Sequence, residues 1–247
     1  MKNAIGINVV HCLQKLAVAL IATVLVAGAA RAQTPAGCGQ PPSYADPHFA
    51  DMVYYRCHFY DQDVAGALAN ARSWVDWRAG NVHKPALVLD IDETSLSNWK
   101  QMYQDKLVFI ATGPCSFRPG ATCSQAAWEQ LAIAPALAPT RNLFYAARAD
   151  HVTVFFVTGR SERASERATT VRDLHRAGYA GWQHLYMRTK QFSDPSQSVS
   201  AFKSWARSQI AAQGYTIIAN VGDQWSDLDG GYSERTFKVP NPFYYIP

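Results

Sequence analysis

The stretch Ala86-Leu-Val-Leu-Asp-Ile-Asp-Glu-Thr-Ser-Leu-Ser-Asn98 (ALVLDIDETSLSN) runs four apolar residues directly into two carboxylates, Asp90 and Asp92, with Glu93 beside them. A short continuous apolar run suits a strand buried on both faces, as in a parallel sheet flanked by helices. Side chains alternate faces in an extended segment, so Asp90 and Asp92 would point the same way with like charges close together. That arrangement costs stability unless a cation, a proton or a reaction makes use of it.

The pattern recurs downstream. Val152–Val157 (VTVFFV) reads as a second buried strand leading into Thr158-Gly159-Arg160, and Thr216–Val221 (TIIANV) as a third leading into Gly222-Asp223. His184–Met187 is a short strand and Phe237–Val239 a last edge strand. Apolar residues at helical spacing mark Asp61–Arg78 (on Val64, Leu68, Ala71 and Val75), Ser161–Ala177 (on Ala164, Ala168, Val171 and Leu174) and Ser198–Gln213 (on Val199, Phe202, Ala206 and Ile210); Pro139–Ala149 also reads as a helix. Strands alternating with helices predict a three-layer, Rossmann-like α/β fold with a mainly parallel sheet. Residues 97–137, aromatic and punctuated by Gly and Pro, interrupt the alternation and read as an insertion after the first core strand.

The chain opens with Lys2 and Lys15, then the apolar run Leu16–Ala30, then Ala30-Arg31-Ala32 before Gln33. A basic start, a short apolar core and an A-x-A site predict a secretory signal peptide over residues 1–32, with a single domain over 33–247. Gln33–Asp46 is an irregular lead-in. Lys2, Lys15 and Arg31 fall in the leader, so the 23 Lys and Arg and 19 Asp and Glu are nearly balanced in what remains. Nothing in that balance points to a nucleic-acid polymer or, after cleavage, a membrane as partner. Cys12 leaves with the leader. Cys38, Cys57, Cys115 and Cys123 are then an even set in an exported protein, which predicts disulfides with three possible pairings; the local pairs Cys38–Cys57 and Cys115–Cys123 are favoured. No C-x-x-C spacing supports zinc.

In open α/β sheets ligands bind beyond the carboxyl ends of the strands, where Asp90, Asp92, Thr158, Asp223 and Asp227 are expected. The D-x-D pair is not an EF-hand, because Thr94 and Ser95 stand where a third oxygen ligand and a glycine are needed. Four carboxylates suit a hard cation such as Mg²⁺. Thr158 and Gly159 taken singly read as a helix cap, and Lys203 taken singly as a solvated lysine. Together they supply donors for phosphate oxygens. The set fits phosphoryl transfer: a carboxylate nucleophile, a cation against charge repulsion, donors for the phosphoryl oxygens and a second carboxylate for proton transfer. No G-x-S-x-G, P-loop, strand-linked G-x-G-x-x-G or H-E-x-x-H competes.

Asp90-Ile-Asp92-Glu-Thr94, a hydrophobic strand ending in Thr158, the downstream Lys203 and Gly222-Asp223-x-x-x-Asp227 resemble the four motifs of the haloacid dehalogenase superfamily. Phe156-Val-Thr-Gly-Arg-Ser-Glu162, Ala177-Gly-Tyr-Ala-Gly-Trp182, Gly222-Asp-Gln-Trp-Ser-Asp-Leu228 and Val239-Pro-Asn-Pro-Phe-Tyr-Tyr-Ile-Pro247 are similar to its acid phosphatase branch, subfamily IIIB, with the plant acid phosphatases and vegetative storage proteins. The resemblance covers about residues 55–247. It implies Asp90 as nucleophile and Asp92 as general acid/base, with Thr158, Gly159 and Lys203 on the phosphoryl oxygens. It further implies Mg²⁺ held by the Asp90 and Asp223 carboxylates and the Asp92 backbone carbonyl, and positioned by Asp227. The expected activity is an exported, Mg²⁺-dependent acid phosphatase for small phosphomonoesters, periplasmic or secreted, with a homodimer reasonable. A non-catalytic storage or binding protein, or a phosphotransferase to alcohols, is the alternative. The 97–137 insertion stands where the superfamily places small caps. Trp99, Tyr103, Phe109 and Phe117 in it read either as a stacking surface for an aromatic leaving group or as a small satellite core. Arg160 and Arg163 read either as contacts to substrate charge or as solvated side chains.

Overall fold

A computed structural model describes residues 47–192 and 198–246. The chain order is α1 (Pro47–Arg56), α2 (Phe59–Ala79), β1 (Pro85–Leu89), α3 (Trp99–Gln104), α4 (Gln125–Leu131), α5 (Ala138–Ala149), β2 (Thr153–Ser161), α6 (Ala164–Arg176), β3 (His184–Arg188), α7 (Val199–Ala212), β4 (Thr216–Gly222), α8 (Trp225–Leu228) and β5 (Arg235–Lys238). The leader over 1–32, the lead-in to Asp46 and Cys38 lie outside the described residues. Among the described residues no helix is long and apolar enough to cross a membrane.

The five strands form one sheet in the order β3-β2-β1-β4-β5, and every pairing is parallel. β1 is central, and its alternation explains its sequence. Leu87 and Leu89 pack into the core under α2, α5 and α6, whereas Ala86 and Val88 pack into the core under α7. Both faces are covered, so no position of the strand tolerates a polar residue until it ends at Asp90. Val154 and Phe156 of β2 join the first core, and Phe155 and Val157 the second, by the same alternation. On α2, Val64, Leu68, Ala71 and Val75 are buried, as their spacing predicts.

Two expectations shift. β2 continues past Val157 to Ser161, and its register against β3 slips between Thr158 and Ser161. This bulge carries Gly159 and Arg160 out of the regular ladder, the device by which strands re-aim side chains near sites. The helix after it therefore begins at Ala164 rather than Ser161. Its inward face is also not the alanine stripe: Ala164 and Ala168 are exposed, and Thr169, Thr170, Asp173 and Leu174 are buried. Polar side chains hold that face because their bonds are satisfied inside. Asp173 accepts from the Ala134 backbone N–H at 3.1 Å, and Thr169 donates to the Ser165 carbonyl at 2.9 Å.

Residues 97–137 contribute α3, α4 and the Cys115–Cys123 disulfide between β1 and α5. Cys57 is disulfide-bonded as well.

Candidate active site

β2, β1 and β4 are neighbours, and their carboxyl ends deliver one cluster of polar residues. The Asp90 backbone N–H donates to the Val221 carbonyl at 3.0 Å, and its carbonyl accepts from Ser95 Oγ at 2.6 Å. A left-handed backbone at Glu93 (φ 53°) then turns the chain sharply, the kind of local strain that sites retain. The turn brings the Thr94 hydroxyl to Asp223 Oδ1, to which it donates at 2.9 Å. Glu93 points inward and accepts from the Tyr60 hydroxyl at 3.4 Å and from the Asn98 backbone N–H. Burial raises its carboxyl well above the ordinary range against the hydrogen bonds it accepts from Asn98 and Tyr60.

β4 ends at Gly222, where a Cβ would collide with the Asp227 side chain. Only glycine lets the strand end pass this close to α8. Gln224 and Asp227 form a capping box, with the Gln224 backbone N–H donating to Asp227 Oδ2 at 2.8 Å. The Asp227 carbonyl accepts from Asn220 Nδ2 at 2.9 Å and from Nη1 of the fully buried Arg207 at 2.6 Å. The second acid of this loop is therefore fixed at both its backbone and its side chain.

Carboxylate oxygens of Asp90, Asp223 and Asp227 lie within 4.8 Å of one another, and all three residues are buried. Lys203 reaches in from α7 and donates to Asp90 Oδ1 at 2.6 Å and to Asp227 Oδ1. It is 5% exposed, not a solvated lysine. Its partners, Asp227 first and then Asp90, outweigh the burial that would lower its ammonium pKa, and hold it raised. Three acids against one lysine leave surplus negative charge in a buried pocket. Burial first, then Asp227, raises the Asp90 carboxyl well above its usual value and pushes Asp223 up to about 6. Oxygen-only donors carrying such a surplus fit a hard divalent cation.

Asp92 has a separate set of partners and contributes no carboxylate to that cluster. Arg160 Nη2 donates to its Oδ1 at 2.7 Å and Arg160 Nε to its Oδ2 at 3.0 Å, while Asn98 Nδ2 donates to Oδ1 at 2.9 Å. Burial alone would raise this carboxyl. The Arg160 charge and hydrogen bonds, with that of Asn98, more than offset it and hold Asp92 below the usual range. Arg160 Nη1 lies 3.5 Å from Asp173 Oδ2. Arg160 is thus a buried ion-pair partner, whereas Arg163 is exposed beside Glu166.

A cavity of about 510 Å³ opens over the cluster and is lined by Asp90, Asp92, Gly159, Lys203, Asp223 and Asp227 at its base. Thr158 does not line the cavity: it is fully buried, with its hydroxyl oxygen accepting from the Arg160 backbone N–H at 3.2 Å. Two runs of chain give the wall its apolar residues: Leu107, Val108 and Phe109 from the first, and Phe243, Tyr244, Tyr245 and Ile246 from the second. Asn241 Nδ2 donates to Asp223 Oδ2 at 2.7 Å and the Ile246 backbone N–H to Gln224 Oε1 at 3.1 Å, so that second run is tied to the acid loop itself.

Of the four aromatic residues singled out in 97–137, Phe109 alone lines this cavity. Trp99 stacks on Tyr55 at 3.8 Å, Tyr103 sits beside Trp99, and Phe117 packs edge-on against Trp128. Asn98, Trp128, Arg207, Gln224 and Glu129 were not singled out in the sequence. Their types are unremarkable there, and only the fold brings them to the site.

The comparisons with known proteins agree with this geometry. Residues 41–247 match the family model of the HAD superfamily, subfamily IIIB (Acid phosphatase). "Acid phosphatase 1" of Solanum lycopersicum is 34% identical over 168 residues, 68% of this chain and 61% of that protein. "Vegetative storage protein 1" of Arabidopsis thaliana is 33% identical over 161 residues, 65% of this chain and 55% of that protein. The chain thus spans less than two thirds of the length of these curated relatives. The class C acid phosphatase of Bacillus anthracis superposes with a TM-score of 0.61 at 19% identity, over 81% of this chain and 85% of that one. Fold, motif order and family model coincide over the same residues: the chain belongs to the HAD superfamily, subfamily IIIB (Acid phosphatase).

Proposed function

We propose that this protein is an exported, Mg²⁺-dependent acid phosphatase that hydrolyses small phosphomonoesters through an aspartyl-phosphate at Asp90. The observation that carries the reading is the buried triad Asp90, Asp223 and Asp227 beyond the ends of neighbouring parallel strands, with Lys203 bonded to Asp90 and Asp227. Asp90, Asp223 and Asp227 would hold the cation with the Asp92 backbone carbonyl. Once bound it would offset the repulsion between the Asp90 carboxylate and an anionic phosphate.

The remaining roles follow from the side chains. Lys203, together with the Thr158 hydroxyl and the Gly159 backbone, would hold the phosphoryl oxygens as charge shifts in the transition state. Asp90 attacks phosphorus as the ester P–O bond breaks, and Asp92 gives its proton to the departing oxygen, releasing an alcohol. Water then attacks the aspartyl-phosphate, its proton passes to Asp92, and phosphate leaves with the Asp90 carboxylate restored. The 97–137 segment acts as a cap, and the apolar walls select the leaving group. The basic start, short apolar run and Ala30-Arg31-Ala32 support a signal peptide over 1–32, and with it a periplasmic or secreted protein in which Cys38 would pair with Cys57.

The test is phosphate release from an aryl phosphate by the purified chain with Mg²⁺, with chelator, and with Asp90→Asn. The reading expects metal-dependent release and a loss on the order of 10³-fold or more in the variant. Release that survives Asp90→Asn would overturn it.

A further inference from the structure

Asn98 and Trp128 stand outside the motif residues quoted above, yet both connect to Asp92. Asn98 caps the start of α3 without a side-chain capping bond, and its backbone N–H is taken by Glu93. Its amide is thus spent elsewhere: Nδ2 donates to Asp92 Oδ1 at 2.9 Å, and Oδ1 accepts from Trp128 Nε1 at 2.7 Å. An indole N–H can only donate, so Trp128 forces the amide oxygen toward itself and the NH₂ toward Asp92. Asn98 is 2% exposed and Trp128 1%, so the indole–amide bond is closed to bulk water and holds the amide in this orientation. Asp92 Oδ1 then receives Asn98 and Arg160 Nη2, whereas Oδ2 receives Arg160 Nε alone. Oδ2 keeps a lone pair free, and the Asp92 side chain is 21% exposed toward the cavity.

We propose that Trp128 and Asn98 are positioning residues for the general acid: a Trp128–Asn98–Asp92 relay from α4 fixes the Asp92 rotamer and assigns Oδ2 as the oxygen that passes the proton. This rests on the phosphatase reading above. The inserted segment thereby does more than wall the cavity, because its fold decides where the proton is delivered.

Leaving groups separate this role from simple packing. A p-nitrophenolate departs as a stable anion and needs little proton transfer. An alkoxide from glycerol phosphate needs the proton as the bond breaks. The experiment measures kcat/KM for both substrates in wild type, Asn98→Ala and Trp128→Phe, the second retaining the buried ring while deleting the N–H. The ratio of the two values on one preparation cancels the folded fraction, so partial misfolding does not distort it. The relay predicts that the glycerol phosphate to p-nitrophenyl phosphate ratio falls about tenfold in Asn98→Ala and severalfold in Trp128→Phe. An unchanged ratio, whether the two activities fall together or not at all, overturns the proposal. Wild-type protein that turns over neither substrate fails differently: it overturns the phosphatase reading on which the relay stands.

Discussion

The two acids of one D-x-D motif live in differently built halves of the same site. Asp90 sits among groups supplied by the core sheet and its covering helix: Asp223 and Asp227 after β4, and Lys203 from α7. Asp92, two residues on, is held by the bulged end of β2 through Arg160 and by the inserted segment through Asn98 and Trp128. The Asp90 half concentrates negative charge, and its carboxyl is raised by burial and Asp227. In the Asp92 half a guanidinium outweighs burial and lowers the carboxyl. Taken alone these directions oppose the proposed roles, since a nucleophile must be ionised and a proton donor protonated. A cation held at the Asp90 cluster would favour the Asp90 carboxylate, and the charge of a phosphate would raise Asp92. On the proposed reading the Asp90 half would carry the phosphate chemistry and the Asp92 half the leaving-group chemistry.

After Asp90→Asn, Lys203→Met breaks the first half with the largest expected effect. The loss should be roughly 10²- to 10³-fold in kcat/KM, and equal for aryl and alkyl phosphates because phosphate is common to both. The substitution also leaves Asp90 and Asp227 buried without their cation, a change that costs about 3–5 kcal/mol in comparable pairs. Thermal unfolding should therefore show a lower Tm that Mg²⁺ restores further than it raises the wild type. A Lys203 variant that discriminates between leaving groups would erase the distinction between the halves.

The smallest effect sharpens the comparison at the cavity wall. Glu129 of α4 lines the cavity, and burial, with the Asp92 charge, pushes its carboxyl up to about 7 despite Arg160. Below that pH it is neutral. Above it a carboxylate faces an incoming phosphate dianion, so KM should rise severalfold as pH passes through about 7. Glu129→Gln should flatten that rise and leave kcat nearly unchanged, as a pH series of initial rates would show. A KM rise that persists in the variant would assign it to another group.

How much of this was legible follows the same divide. β1, β2 and β4 were readable because strands covered on both faces must be continuously apolar, and the acids at their ends stand out against that background. Lys203 was legible only through motif order, since a lysine beside an apolar stripe is usually solvated. The α6 face was half legible: Val171 and Leu174 pack inward as their spacing predicts, but Thr169 and Asp173 are buried in place of Ala164 and Ala168 because their bonds are satisfied inside, which no hydrophobic pattern reports. Asn98, Trp128 and the Phe243–Ile246 wall were not legible as site residues. Each depends on how an irregular segment folds back, and local spacing does not encode that. Cys115–Cys123 was legible because the two residues are only eight apart.

The central claim is that Asp90 becomes covalently phosphorylated. The direct measurement is a rapid acid quench of the protein turning over an aryl phosphate labelled in its phosphoryl group, followed by peptide mapping. The account predicts acid-stable, base-labile label on the peptide containing Asp90, absent in Asp90→Asn and lost when Mg²⁺ is chelated. Steady turnover with no label trapped at Asp90, or with label on another residue, would contradict it.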